Sequence, residues 1–338
     1  MEKVITFIVP AYNVEQYLDK CLSSFICPSV MKKIEVIVIN DGSTDRTESL
    51  AQRYANSHPD SFAVINQKNG GHGSVINLGS QLAKGRYFKV IDADDWVMTE
   101  YLPAFIEFLE NCCADVIITP FTKLHLTQHT SEEIRPHVQT IPPHLTMTDI
   151  IKHWGAFEEC MTFHSITYFT PFYLEYGHRL PEHVYYEDQI FSTIPCCYAK
   201  TLCFFDAPLY QYVIGNAEQS VSRQNQWKRI DHLEAVARNL LEYTKKSENV
   251  SSLSEDGRRY LREKLENVIL IYYLTACIYA DNRKKGRTLY RNFTKMLTAS
   301  YPEISGAVAK KRHIFLMMSY LHVNEQLYQK LLGMRTNK

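Results

Sequence analysis

Asp92-Ala93-Asp94-Asp95 places three carboxylates in four residues, directly behind the apolar run Tyr87-Phe88-Lys89-Val90-Ile91. Carboxylates packed this tightly at the end of a buried strand repel one another unless a cation holds them. A hard divalent ion that also binds a phosphate-bearing substrate is such a cation. Mg²⁺ typically binds through one or two carboxylates together with the substrate's own phosphate oxygens. The competing reading is a solvated acidic turn ahead of a helix.

Alternating elements must position this cluster. Val4 to Val9 and Ile34 to Ile39 are β-branched runs, apolar on both faces, as in strands buried within parallel sheets. Helical spacing follows each: Val14 to Ile26 after the first, and Asp45 to about Ala55 after the second. A third strand is expected over Phe62 to Gln67, a helix over Ser74 to Ala83, and a strand over Tyr87 to Ile91 delivers the carboxylates. The alternation predicts an α/β fold, a mostly parallel sheet covered by helices, with ligands gathering at the carboxyl ends of the strands. Four polar clusters fall at those ends: Pro10 to Asn13, Asn40 to Asp45, Asn69 to Gly73, and Asp92 to Asp95. A further strand is expected over Asp115 to Pro120, and a loop or insertion over Thr122 to Pro143. Met161 to Thr170 and Thr201 to Tyr212 read as aromatic-rich strands, and Glu187-Asp188-Gln189-Ile190-Phe191 as the opening of a helix. Beyond Arg223 the chain reads as helical, with apolar stripes at Leu233, Val236, Ala237, Leu240 and Leu241, and again from Leu261.

The 338 residues, 45% hydrophobic and 22% charged, describe a globular protein with a sizeable core and no compositionally disordered segment. The formal net charge of +0 hides an asymmetry. Acidic residues prevail up to about Asp115, whereas Arg and Lys crowd the stretch from Arg283 to Arg312. The nine cysteines show no Cys-x-x-Cys spacing, so neither a zinc site nor a disulfide framework is indicated. Free thiols without a leader-like start predict a cytoplasmic protein. The longest apolar stretch, Val268 to Ala280, is too short to span a membrane.

Val9-Pro10-Ala11-Tyr12-Asn13, Asn40-Asp41-Gly42-Ser43-Thr44-Asp45, Asp92-Ala93-Asp94-Asp95 and Glu187-Asp188 occur in an order and spacing that resembles the family 2 glycosyltransferases of the GT-A fold. A lone Asp-Gly-Ser is common; four such motifs in order are specific. The resemblance covers about the first two-thirds of the chain. It implies a GT-A domain over 1–222, with a nucleotide-sugar half (1–120) and an acceptor half (121–222), followed by a helical C-terminal region (223–338).

The resemblance implies an inverting transfer of a sugar from a UDP-sugar to a glycan or lipid-linked acceptor in cell-surface polysaccharide synthesis, with Mn²⁺ or Mg²⁺ as cofactor. Pro10, Tyr12 and Asn13 would line the nucleotide pocket, with Ser43, Asn69 and Gly70 beside it. Asp41 would read the uracil imide, since an ionised carboxylate accepts hydrogen bonds only and selects a base edge that offers an N–H. Ser43 or Thr44 could equally cap the following helix. Asp94 is implied as the leading metal ligand, Asp92 as a group on the ribose or a metal-bound water, and Asp95 as an extension of the motif. Asp188 matches the general base, with an acidic first helical turn as the alternative.

Two departures stand out. The Ala-Arg-Asn triplet of many relatives reads Val75-Ile76-Asn77 here, so Ile76 replaces the arginine and His72 or the amides of Gly70 to Gly73 would contact the donor instead. Tyr210-Gln211-Tyr212 and Gln219-Ser220-Val221-Ser222 resemble a segment that closes over the diphosphate, yet Gly215 to Glu218 lacks its usual histidine, which leaves the third metal ligand open. His164, His178 and His183 receive no role, and Trp96 is expected to pack beneath the metal loop.

A sugar-nucleotide pyrophosphorylase would need a Gly-rich, Arg-bearing loop after the first strand, which Pro10-Ala11-Tyr12-Asn13 is not. A catalytically silent nucleotide-sugar binder is favoured by Ile76 and disfavoured by Asp92, Asp94 and Asp188. The basic tail predicts peripheral contact with an anionic membrane, against the alternative of a solvated helical face. No nucleic-acid partner is expected.

Overall fold

The computed structural model describes residues 2–126, 128–215, 223–246 and 251–336. The chain divides into two compact units, residues 1–216 with 253–260, and residues 217–252 with 261–338. Patterning gives no sign that 253–260 returns to the first unit.

Two sheets build the first unit. Strands β1 (Ile5–Ala11), β2 (Ile34–Asn40), β3 (Phe62–Asn66) and β4 (Tyr87–Val90) run parallel in the order β3-β2-β1-β4. Every residue of β1 and β2 is buried, as their β-branched runs require when helices cover both faces. The one carboxylate inside β2, Glu35, accepts from the Thr6 hydroxyl at 2.6 Å and the Lys84 amide at 2.9 Å. Helices Thr47–Ser57 and His72–Leu82 supply the crossovers.

Beyond β4 the sheet becomes mixed. With β5 (Trp96–Val97), β6 (Val116–Ile118), β7 (Phe121–His125), β8 (Thr130–Ile134), β9 (His144–Leu145), β10 (Ile166–Phe169), β11 (Leu202–Phe204) and β12 (Tyr210–Ile214), the large sheet continues β4-β10-β6-β11-β9. β10 and β9 run antiparallel to their neighbours. The smaller sheet has the order β5-β12-β7-β8.

Two expectations are corrected. Thr122 to Pro143 is a loop only in its last part, 135–143: before it β7 and β8 pair antiparallel, and their alternation escapes notice because β8 exposes four of its five residues. Thr201 to Tyr212 is not one strand, since β11 lies in the large sheet and β12 in the small one, parted by Asp206-Ala207-Pro208. The first helix is also shorter than its spacing suggests, Leu18–Ser23.

In the second unit the described residues are helical. The stripe of helix Ile230–Lys245 is buried at Leu233, Val236, Ala237, Leu240 and Leu241, and Leu261, Leu265, Val268 and Ile269 are buried likewise. No helix among the described residues is long and apolar enough to cross a membrane.

Candidate active site

Because β1 to β4 are parallel, their carboxyl ends lie along one edge, and the loops that leave them are tied to one another. Asn13, in the left-handed region at φ 53°, donates its amide to Ser43 Oγ at 3.0 Å, while its Oδ1 accepts from the Thr44 amide at 2.8 Å. Neither Ser43 nor Thr44 caps the next helix: it begins at Thr47, whose amide donates to Asp45 Oδ1 at 2.9 Å. Pro10 is buried within β1, whereas Tyr12 stands 52% exposed beside Asn13.

Asp41 is buried and organises the third loop. Its Oδ1 accepts from Gln67 Nε2 at 2.6 Å and the Gly70 amide at 2.9 Å, its Oδ2 from the Gly71 amide at 2.9 Å, and its carbonyl from Asn69 Nδ2 at 2.9 Å. Three of about four carboxylate lone-pair sites are thereby filled. Gly71 takes φ 82°, and a Cβ there would lie 2.9 Å from the His183 amide nitrogen. Two residues on, a Cβ at Gly73 would meet the Pro181 carbonyl at 2.6 Å. Bare backbone thus lets the 180–183 segment settle on this loop. Asn77 fixes that segment, accepting from the Leu180 amide and donating to its carbonyl, both at 2.9 Å.

This docking carries Glu187 to the site. His72 bridges two carboxylates: Nδ1 lies 2.5 Å from Glu187 Oε1 and Nε2 lies 2.9 Å from Asp92 Oδ1. Burial opposes a charge on His72, but Glu187 and Asp92 outweigh it and raise its pKa well above the ordinary range. Burial would likewise push Asp92 up, yet the His72 hydrogen bond and charge hold it below the usual carboxylate value. Asp188, the first residue of helix Asp188–Phe191, follows Tyr186 at φ 69°, a non-glycine left-handed residue of the sort that costs energy and recurs at functional sites.

Asp95 has the opposite environment. It is buried, accepting from Tyr210 Oη at 2.6 Å and from the Val213 amide at 2.8 Å. Burial, then the charges of Asp94 and Asp92, push its pKa well up. Asp92, Asp95 and His164 offer ligand atoms within 4.8 Å of one another. His164 stacks on Tyr212 at 4.1 Å and on Phe121 at 5.1 Å, and burial lowers its pKa to about 4, which keeps the imidazole neutral and able to ligate. Two carboxyl groups and a neutral imidazole are a donor set that could hold a divalent metal ion. Asp94, half-exposed on the same turn, is not in this trio.

Residues 6–162 match glycosyl transferase family 2. That stretch, just under half of the chain, is similar to the family 2 glycosyltransferases. The glycosyltransferases EpsJ and EpsH of Bacillus subtilis are 31% and 30% identical over 153 and 220 residues, 45% and 62% of this chain. Those alignments span 44% and 60% of the relatives' own lengths, so the chain spans about half of the curated relatives it matches. TarS residues 1–349 of S. aureus, crystallised with UDP-GlcNAc, superpose with a TM-score of 0.61 over 97% of this chain and 92% of that one, at 17% identity. A Pyrobaculum calidifontis mannosyltransferase with GDP-Man and Mn²⁺ gives 0.50 over 95% of this chain and 87% of its own, at 15% identity. Such likeness establishes the GT-A fold.

The residue that the sequence underrates is His72. Ile76, at the arginine position, is fully buried, and His72 opens the same helix one turn earlier, but its two carboxylate partners lie far off in sequence. His164 gave no signal, as its neighbours Phe121 and Tyr212 are far away in sequence. Trp96 is half-exposed in β5 with the Lys20 ammonium 3.1 Å over its ring. Gln219 to Ser222 lie outside the described residues.

Proposed function

We propose that the chain is an inverting glycosyltransferase that moves a sugar from a UDP-sugar to a glycan or lipid-linked acceptor, acting in the cytoplasm. The observation that carries this reading is the His72 bridge. It draws Asp92 and the Glu187-Asp188 pair, 95 positions apart at their nearest, onto one sheet edge, beside a stretch that matches family 2.

In this reading Asp41 keeps its remaining Oδ2 lone pair for the base N–H, and Tyr12 and Asn13 flank the nucleotide with Pro10, Ser43, Asn69 and Gly70. Asp188 accepts the proton of the acceptor hydroxyl as that oxygen attacks the anomeric carbon opposite the diphosphate. His72 holds Glu187, and through it the turn that aims Asp188. A bound Mn²⁺ or Mg²⁺, held by Asp92 with Asp94 or with Asp95 and His164, would offset the charge that grows on the departing diphosphate.

Nucleotide release is the test, measured with a panel of UDP- and GDP-sugars and candidate glycan acceptors, with Mn²⁺, Mg²⁺ or a chelator. UDP release that depends on acceptor and metal is expected. Tight UDP-sugar binding without turnover under any condition would establish the silent binder instead.

A further inference from the structure

The helix Ala309–Tyr320 in the second unit is turned inside out. Soluble helices bury their apolar stripe and expose their charges. Here the buried positions include Arg312 and Ser319, at 7% and 0% exposure, together with Val308. Arg312 Nε and Nη1 and the Ser319 hydroxyl find no hydrogen-bond partner among the described residues. The side turned to solvent carries Lys310, Ile314, Met317 and Leu321 at i, i+4, i+7 and i+11, with Met317 61% and Leu321 72% exposed. Tyr320 stands beside them, 52% exposed.

A second stripe lies against this one. On helix Arg283–Ser300, Lys284, Arg287, Arg291 and Lys295 recur at i, i+3, i+7 and i+11 on one side. Two of them touch Tyr320: the Arg287 guanidinium sits 4.7 Å from its ring centroid, and Arg291 Nη2 donates to its hydroxyl at 3.0 Å. Lys310 and Lys311 add charge from the apolar helix itself. Between residues 283 and 320 the sequence holds nine Arg and Lys against one carboxylate, Glu303.

We infer that these two helices form a docking face for an anionic lipid surface, with Met317, Leu321 and Tyr320 entering the headgroup boundary and the basic stripe lying over lipid phosphates. Apolar side chains flanked by Lys and Arg are what an interfacial helix requires. A second copy of the chain would fit worse, since a two-fold interface sets the same patch against itself and would bring two basic stripes together. The inference is independent of the sugar-transfer reading and refines the sequence-level expectation of a basic tail into a two-stripe surface.

Co-sedimentation of the full chain with phosphatidylcholine vesicles, with and without phosphatidylglycerol and without nucleotide sugar, tests it. Binding should require the anionic lipid. Replacing Lys284, Lys295, Lys310 and Lys311 with Gln should weaken it by about fivefold per charge. Met317→Gln with Leu321→Gln should weaken it as well and leave what remains fully salt-sensitive. All six side chains are exposed, so the melting temperature should not change. Sedimentation indifferent to lipid charge would overturn the inference, as would an apolar double variant that binds like wild type, which would leave only unspecific polyanion attraction. Self-association in sedimentation velocity that the double variant abolishes would hand the face to a second copy.

Discussion

The two sides of the candidate site are held by bonds of different reach. After β1, β2 and β3, the loops lock through partners close in sequence: Asn13 to Ser43 and Thr44, Asp41 to Gln67, Gly70 and Gly71, all within 31 positions. The Asp92 to Asp95 turn is held instead by Glu187 through His72, by Tyr210 and by Val213, the last two lying 115 and 118 positions beyond Asp95. One side is thus a local device that forms with its βα units. The other exists only when the whole unit has folded, so its geometry depends on groups that do no chemistry themselves.

That contrast can be broken most severely at its long-range end. Asp188→Asn should lower turnover by about 10²- to 10⁴-fold, the range for loss of a general base, with donor affinity retained in calorimetry. Loss of affinity with unchanged turnover would place Asp188 on the donor side. His72→Ala should cost about 10- to 100-fold in kcat, as loss of a supporting partner does in comparable sites. His72→Gln, which still reaches one carboxylate, should recover part of the loss. Equal damage from both would show that the bridge needs two nitrogens.

Tyr210→Phe removes one of two donors from buried Asp95. It should destabilise by about 1–3 kcal/mol, seen as a melting temperature lower by several degrees. On the local side, Asn13→Ala should raise the donor Kd severalfold and leave kcat nearly unchanged, because the bonds it loses join two loops that are otherwise anchored. A kcat loss as large as that of His72→Ala would erase the distinction between the two sides.

Lys89 sharpens the comparison through pH. Fully buried on β4, it donates to the carbonyls of His164 and Ile166 at 2.7 and 3.1 Å, and burial lowers its pKa from 10.5 to about 7. The unfolded chain therefore holds a proton between pH 7 and 10.5 that the folded chain does not. By linkage, the stability of the first unit should rise across that window, and the burial penalty should be fully felt below pH 7. Lys89→Met should flatten the rise in melting temperature measured from pH 7 to 10. An unchanged slope would show that another group sets it.

What could be read from residues alone follows the same division. The parallel strands and their polar ends were legible because β-branched runs such as Ile34–Ile39 and the turn residues behind them are local signals. Asp92, Asp94 and Asp188 stood out through motif order, and the family match over residues 6–162 takes in the first two positions and stops short of the third. The His72 bridge and the His164 corner were not legible, because each depends on which distant segments meet, and no periodicity within a window encodes that. The β7–β8 hairpin is local, but β8 exposes four of its five residues and so lacks the alternation that marks a strand. The inverted helix at Ala309–Tyr320 was hidden for another reason: its composition is ordinary, and only burial reveals which side faces out.

The distribution of thiols offers a practical handle. Seven of the nine cysteines are buried and Cys27 is half-buried, leaving Cys113 as the exposed one. It precedes β6 at the amino end of that strand, beside Arg86, which precedes β4, and so lies on the sheet edge opposite the carboxylates. A maleimide fluorophore should couple there first, without entering the site. A singly labelled chain would then give an optical test of the proposed donor binding and vesicle capture, with no residue engineered into it.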